Sequence, residues 1–182
     1  MWIYIVIAVL VLLVIYALIM YNSFVKQNNK VREAFSTMDV YLKKRWDLIP
    51  NLVEVVKGYA KHEKETLKEI VEIRKGFYDK MTDEDKLKAN ESIKNDISKI
   101  MAIAESYPDL KASENFIDLS NQLSQVEDEI ANSRKYYNAV IRNYNIKIEM
   151  FPNSIFAKIF GFKTKSMFEI NSDEREDIKV DI

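Results

Sequence analysis

The chain opens "MWIYIVIAVLVLLVIYALIMYNSFV", and no charged side chain appears before Lys26. A helix needs about 20 predominantly apolar residues to cross the hydrocarbon core of a bilayer, and this run supplies them. A cleaved leader would want a basic start, a shorter apolar stretch and a small-x-small cleavage site. Here the start is "MWIY", the run is longer, and no such site follows. Residues 1–25 are therefore predicted to be a retained transmembrane anchor, touching lipid through residues 2–24. Trp2, Tyr4, Tyr16 and Tyr21 lie towards its two ends, where interfacial aromatics gather. Lys26, Lys30 and Arg32 follow the run, against Glu33, and no Lys or Arg precedes it. The positive-inside rule then gives a single-pass cell-membrane protein with its N-terminus outside and the rest of the chain in the cytoplasm.

Composition narrows what the remainder can be. With 27 Lys+Arg against 28 Asp+Glu the net charge is near zero, which argues against nucleic acid as a partner. There is no cysteine, so disulfides, thiolate metal sites and cysteine nucleophiles are excluded. Only three glycines and three prolines occur, too few turn residues for a sheet-rich or phosphate-loop fold. The class is all-α.

Helical periodicity continues straight out of the anchor. Val31, Phe35, Met38, Leu42, Ile49, Leu52, Val56 and Tyr59 step by three and four, with Arg45 filling one step, and Leu67, Ile70, Ile73 and Phe77 extend the stripe. The phase holds across Pro50. Residues 22–78 are predicted to form one long helix kinked there, at a cost on the order of 3 kcal/mol. The alternative starts a new helix, with Asp47 as N-cap and Pro50 in the first turn. Thr82 caps a second helix over 83–106, whose first turn carries Asp83, Glu84 and Asp85. "SYPDLKA" ends it and reads as extended. Ser113 caps a third helix to about residue 150, "FPNS" stops it, and "SIFAKIFGF" forms a short fourth helix ending near Gly161.

Lengths suggest an arrangement. The second helix and the extended link together cover about 56 Å, against about 57 Å for the third helix. The expectation is an antiparallel helical bundle over residues 26–170, three long helices plus the short fourth, standing on the single N-terminal span, with a polar flexible tail over 171–182. In that layout the first and third helices run in the same direction. Residues 46–51 face residues 116–124, and the fourth helix lies far from the membrane.

Several stretches together resemble the LemA family. They are "YNSFV" near Tyr21, "LKKRWDLIPNLVEVVKGYAKHE" from Leu42, "YPDLKASENF" from Tyr107, "EIANSRKYYNAVIRNYN" from Glu129, "FP" at Phe151 and "FE" at Phe168. Trp46 stands where the family pattern often has histidine, and Lys135 keeps a second basic residue beside Arg134. The resemblance implies a bacterial or archaeal membrane protein with one N-terminal span and a helical bundle. The family carries no agreed reaction, so no catalytic residue is transferred.

The residues themselves offer no reaction either. His62 is the only histidine, and "HEKET" lacks the second ligand of an H-E-x-x-H zinc site. Tyr59 stands where a Glu-x-x-His pair would need its glutamate. There is no nucleophile elbow or phosphate loop. A two-carboxylate glycosidase needs a particular pair, and nothing singles one out of 28 acids. His62 is read as a solvated helix residue, and neither catalysis, cofactor nor metal is expected.

Two interaction candidates remain. Arg45, Trp46, Asp47, Pro50 and Asn51 surround the proline, either as a polar layer that sets helix register or as a notch that receives a partner. Tyr137 and Tyr144, with Asn138 and Asn145 beside them, read as core tyrosines with register-setting amides. Phe156, Lys158, Phe160, Phe162, Lys163 and Lys165 form an aromatic, basic segment that either caps the bundle or lies on a membrane or partner. The function expected is a membrane-anchored interaction or scaffold protein of the prokaryotic cell envelope, with a protein partner in or at the membrane. The alternative is a structural protein that self-assembles to organise or protect membrane.

Overall fold

In the computed structural model, which describes residues 1–72 and 78–168, the apolar start and the amphipathic stripe form one helix, α1 (Trp2–Tyr59). Its backbone stays helical through Pro50, so no new helix begins at Asp47. Ile49, Leu52, Val53 and Val56 are all buried on the face that flanks the proline, and that burial offsets the lost donor. The 18-residue apolar window of α1 has a mean hydropathy of 3.2 and none of it is buried in the fold.

α1 ends earlier than its periodicity suggests. The Ala60 amide donates to Val56 O at 2.8 Å, the chain turns through residues 60–63, and α2 (Lys64–Glu72) begins. The predicted helix over 22–78 is therefore broken by a reversal. His62 lies exposed in that turn rather than on a helix. Leu67 and Ile70 of α2 are fully buried, so both arms present apolar stripes to the interior and no change of phase marks the turn. Ile73 and Phe77, assigned to the same stripe, lie outside the described residues, as do Glu169 and the tail over 171–182.

A 3-10 turn, Tyr78–Lys80, leads to α3 (Asp83–Glu105). Thr82 caps α3 as expected. Its hydroxyl accepts from the Asp85 amide at 3.2 Å and donates to the Asp85 carboxylate at 2.6 Å. "PDLK" is not extended: it forms a single helical turn, α4 (Pro108–Lys111), because Pro108 occupies the first helical position, where its fixed φ suits a helix start. α5 (Glu114–Glu149) follows. The Phe151–Pro152 peptide bond is cis, and α6 (Asn153–Ile159) comes next. Gly161, at φ 75°, ends α6. Its amide reaches Lys158 O at 3.3 Å while the Phe162 amide reaches Ala157 O at 2.9 Å, the paired bonds of a Schellman cap. The described residues thus contain six α-helices and no strand.

The chain packs as two units, Thr37–Asn132 and Met1–Ser36 with Ser133–Ile182. In the first, the directions of the helices follow from who meets whom. Lys86 and Asn90 of α3 meet Asp39 and Arg45 of α1, so these two helices ascend together. Glu127 of α5 meets Arg45, while Gln122 and Gln125 lie beside Asp47 and Asn51, so α5 descends. Tyr78 donates to Asp39, which places the turn before α3 back beside the part of α1 around residue 39. The unit is an up-down-up-down bundle.

In the second unit α5 again descends along α1. Tyr137 packs edge-on against Phe35 at 5.8 Å, and Lys147 donates to Ser23. The core gathers Phe24, Val31, Ala34, Val140, Ile141, Tyr144, Ile148 and Ala157. The expectation that the first and third long helices run the same way is therefore corrected, and the near-equality of lengths behind it was coincidental. One unmarked reversal, at residues 60–63, flips the direction of everything after it. The fourth predicted helix, now α6, accordingly lies against Tyr16, Tyr21 and Phe24 of the apolar helix rather than far from it.

Arg45 has no exposed surface, and its guanidinium binds Glu127 Oε1 at 2.6 Å and Asn90 O at 2.8 Å. Removing one partner of a buried ion pair strands the other charge, which costs more than replacing both. Glu127 is itself 38% exposed, so the loss is moderate. Glu127→Ala is expected to destabilise the protein by about 2 kcal/mol. Arg45→Met combined with Glu127→Ala should recover part of that. Denaturant titration of the three proteins in micelles checks it, and a double variant less stable than Glu127→Ala alone would contradict it.

Candidate interaction sites

The five residues proposed around Pro50 do not share one surface. Helical geometry turns Arg45 and Trp46 inward and Asp47 and Asn51, one turn apart, outward; Pro50 is half-buried. The inward pair is structural. Besides its two bonds, Arg45 leaves Nε without an acceptor, and the side-chain amide of buried Asn90 is likewise unpaired. Trp46 packs against the Tyr78 ring at 5.4 Å. Tyr78 donates to Asp39 at 2.7 Å, Lys86 reaches the same carboxylate at 2.6 Å, and the Lys43 and Lys86 ammonium groups lie 5.6 and 5.1 Å from the Tyr78 ring centre. Burial, then the bond to Asp39, pushes the Tyr78 phenol well above its ordinary range, so it remains a proton donor.

The outward pair does line a groove. Asp47 and Asn51, with Lys44 and Leu48, face Gln122, Gln125 and Val126 of α5 across about 410 Å³. The stretch opposite is thus 122–126, within a turn of the 116–124 that was expected. Lys43 holds the Asp47 carboxylate from the side at 3.4 Å. The groove offers amides, one acid and the Lys44 ammonium above two aliphatic side chains, between α1 and α5. It can hydrogen-bond a polar partner, and it holds no nucleophile–base pair. Among the described residues no three of His, Asp and Glu cluster closely enough to hold a metal ion.

The C-terminal candidates divide in the same way. Phe156 and Phe162 are half-buried against the core, Phe162 lying 5.3 Å from Phe24. Phe160, Lys158 and Lys163 are exposed, and Lys165 is half-buried. What holds this segment was missed in the sequence. Asn145 donates to Lys165 O at 2.8 Å and accepts from Lys165 N at 2.9 Å; Asn138 does the same to Phe168 at 2.9 and 2.8 Å. Tyr144 donates to Lys163 O at 2.9 Å, and the Arg134 guanidinium lies 4.0 Å over the Phe168 ring. Burial raises the Tyr144 phenol above its usual value, so this bond too keeps its proton. Asn138 and Asn145 therefore clamp an extended backbone rather than set helix register. Their heptad spacing, with Arg134 one turn before, was the available signal: three polar groups on one helix face that an apolar neighbour would not cover.

Each asparagine contributes two hydrogen bonds, so Asn138→Ala or Asn145→Ala is expected to cost about 2 kcal/mol of local stability. Amide exchange around residues 163–168 should accelerate by more than about tenfold while α3 is unaffected. Uniform acceleration across the chain would show that the clamp is not local.

The model of the LemA family matches residues 34–182. Protein LemA of Metamycoplasma hominis is 29% identical, over 86% of this chain and 72% of that protein. Magnetosome protein MamQ of Magnetospirillum gryphiswaldense is 27% identical over 83% of this chain, and Magnetosome protein MamQ 2 of Paramagnetospirillum magneticum 28% over 84%. This chain spans about 65% of the length of either MamQ protein. The matched region takes in the Arg45 pairing, the polar groove and the asparagine clamp, and the chain belongs to the LemA family.

Proposed function

We infer that this is a non-catalytic, membrane-anchored interaction protein of the cell envelope. The apolar part of α1 would hold it in the bilayer, with the bundle in the cytoplasm. The groove between Asp47/Asn51 and Gln122/Gln125 would receive a polar segment of a protein partner. The observation that carries this is α1 itself. A stretch apolar enough to cross a membrane, with no residue of its apolar window buried by the fold, is continuous with a helix whose outward polar side chains line a groove. The kinship with LemA and MamQ proteins supports a membrane-associated helical protein. The competing role, a self-assembling protein that organises membrane, would use the same anchor.

A photoreactive amino acid at Asp47, Asn51 or Gln122 should capture one dominant foreign protein in living cells. The same residue at Lys99, on the exposed side of α3, should capture none. A ladder of self-crosslinks would instead favour assembly. Orientation has a separate check, made clean by the absence of cysteine. In intact cells Lys99→Cys should resist an impermeant maleimide and react after lysis. Reaction in intact cells would place the bundle outside.

A further inference from the structure

We propose that the α5–α6 corner is a second lipid contact, a foot inserted beside α1 into the leaflet through which α1 leaves the membrane. This rests on the anchor reading above. Phe156 stacks edge-on against Tyr16 at 5.5 Å, and Phe160 against Tyr21 at 5.2 Å. Those partners belong to the apolar run. Tyr16 lies about 15 Å along the helix axis before Lys26, the first charged residue. Whatever depth α1 assigns to Tyr16, α6 shares.

The two faces of the corner differ. Ala157 is buried in the core with Phe156 and Phe162 packed beside it. The opposite face shows Met150, Phe151, Ile155 and Ile159, exposed by 57%, 81%, 50% and 69%. Isolated exposed apolar residues are ordinary, but four large ones on one short corner form a patch that water disfavours. Lipid fits because the patch continues the uncovered apolar surface of α1, where Leu12, Leu13 and Ile19 are also exposed. Exposed Lys158 and Lys163, with Lys26 on α1, supply cations for anionic headgroups, and among the described residues Glu149 is the acid on the α5 side of the corner. An amphipathic segment of this kind settles about 5–10 Å below the headgroup boundary, which agrees with the level of Tyr21, about 8 Å along the axis from Lys26, while Tyr16 marks the deeper end of the contact.

The lack of native cysteine allows single spin labels on the full chain. Ile155→Cys and Ile159→Cys, labelled and reconstituted into mixed phosphatidylcholine and phosphatidylglycerol vesicles, would be compared with Leu12→Cys in the anchor and Lys99→Cys on α3. The measurement is relaxation by dissolved oxygen, which enters lipid, against a nickel chelate, which stays in water. Expected is an oxygen-dominated ratio at 155 and 159, of the same sense as at Leu12 and inverted from Lys99. A water-like ratio at 155 and 159 with a lipid-like ratio at Leu12 overturns the foot and leaves the anchor standing. Immobilised labels that neither reagent reaches would overturn it in favour of a protein neighbour. A water-like ratio at Leu12 would overturn the anchor and the foot together.

Discussion

A guanidinium with no exposed surface is costly to bury, and Arg45 is tolerated because two other helices come to it. Glu127 of α5 supplies a counter-charge, and the carbonyl of Asn90 supplies a neutral acceptor from α3. An apolar residue at 45 would accept many slightly shifted packings. Arg45 accepts only those in which both acceptors arrive together. Buried polar groups of this kind fix register in some helical bundles, where they act on specificity more than on net stability. With Arg45 in place, Asp39 falls opposite Lys86 and Tyr78, and Asp47 and Asn51 are left to face outward.

Much of this was legible in the amino-acid sequence. The apolar start, the Thr82 cap and the glycine that ends α6 each rest on a local rule that tertiary structure did not override, and the passage of α1 through Pro50 was legible in the unbroken phase of the apolar stripe. The turn at residues 60–63 was not legible, for a physical reason. Both arms of a helical hairpin bury their apolar stripes in the same interior, so the stripe runs on through a reversal when the connection brings no glycine or proline, and here Ala60 is itself buried in line with both arms. "AKHE" holds neither glycine nor proline. "PDLK" failed in the opposite sense, since proline both stops one helix and suits the first turn of the next.

The candidate sites were legible as composition and not as geometry. The sequence brought out residues 45 to 51 together, but a helix sends neighbours in different directions. Burial of Arg45 and exposure of Asp47 follow from which face meets α5 and α3. The aromatic segment was singled out by composition, yet its position depended on the direction of α5, which depended on the missed turn.

The asparagine clamp bears on how such a foot stays in place. Asn138 and Asn145 bind only main-chain atoms of residues 165 and 168, and Tyr144 binds the carbonyl of 163. Backbone recognition leaves the side chains of Lys163, Thr164, Ser166 and Met167 exposed. The link that follows α6 is thus fastened mainly through its backbone, and of its side chains the hold uses Phe168, under Arg134, and Lys165, over Tyr144. Its charge is free to suit whatever surface it meets, while the residues that fasten it sit on α5. A side-chain latch could not separate those two demands, because every change made for the surface would also change the hold.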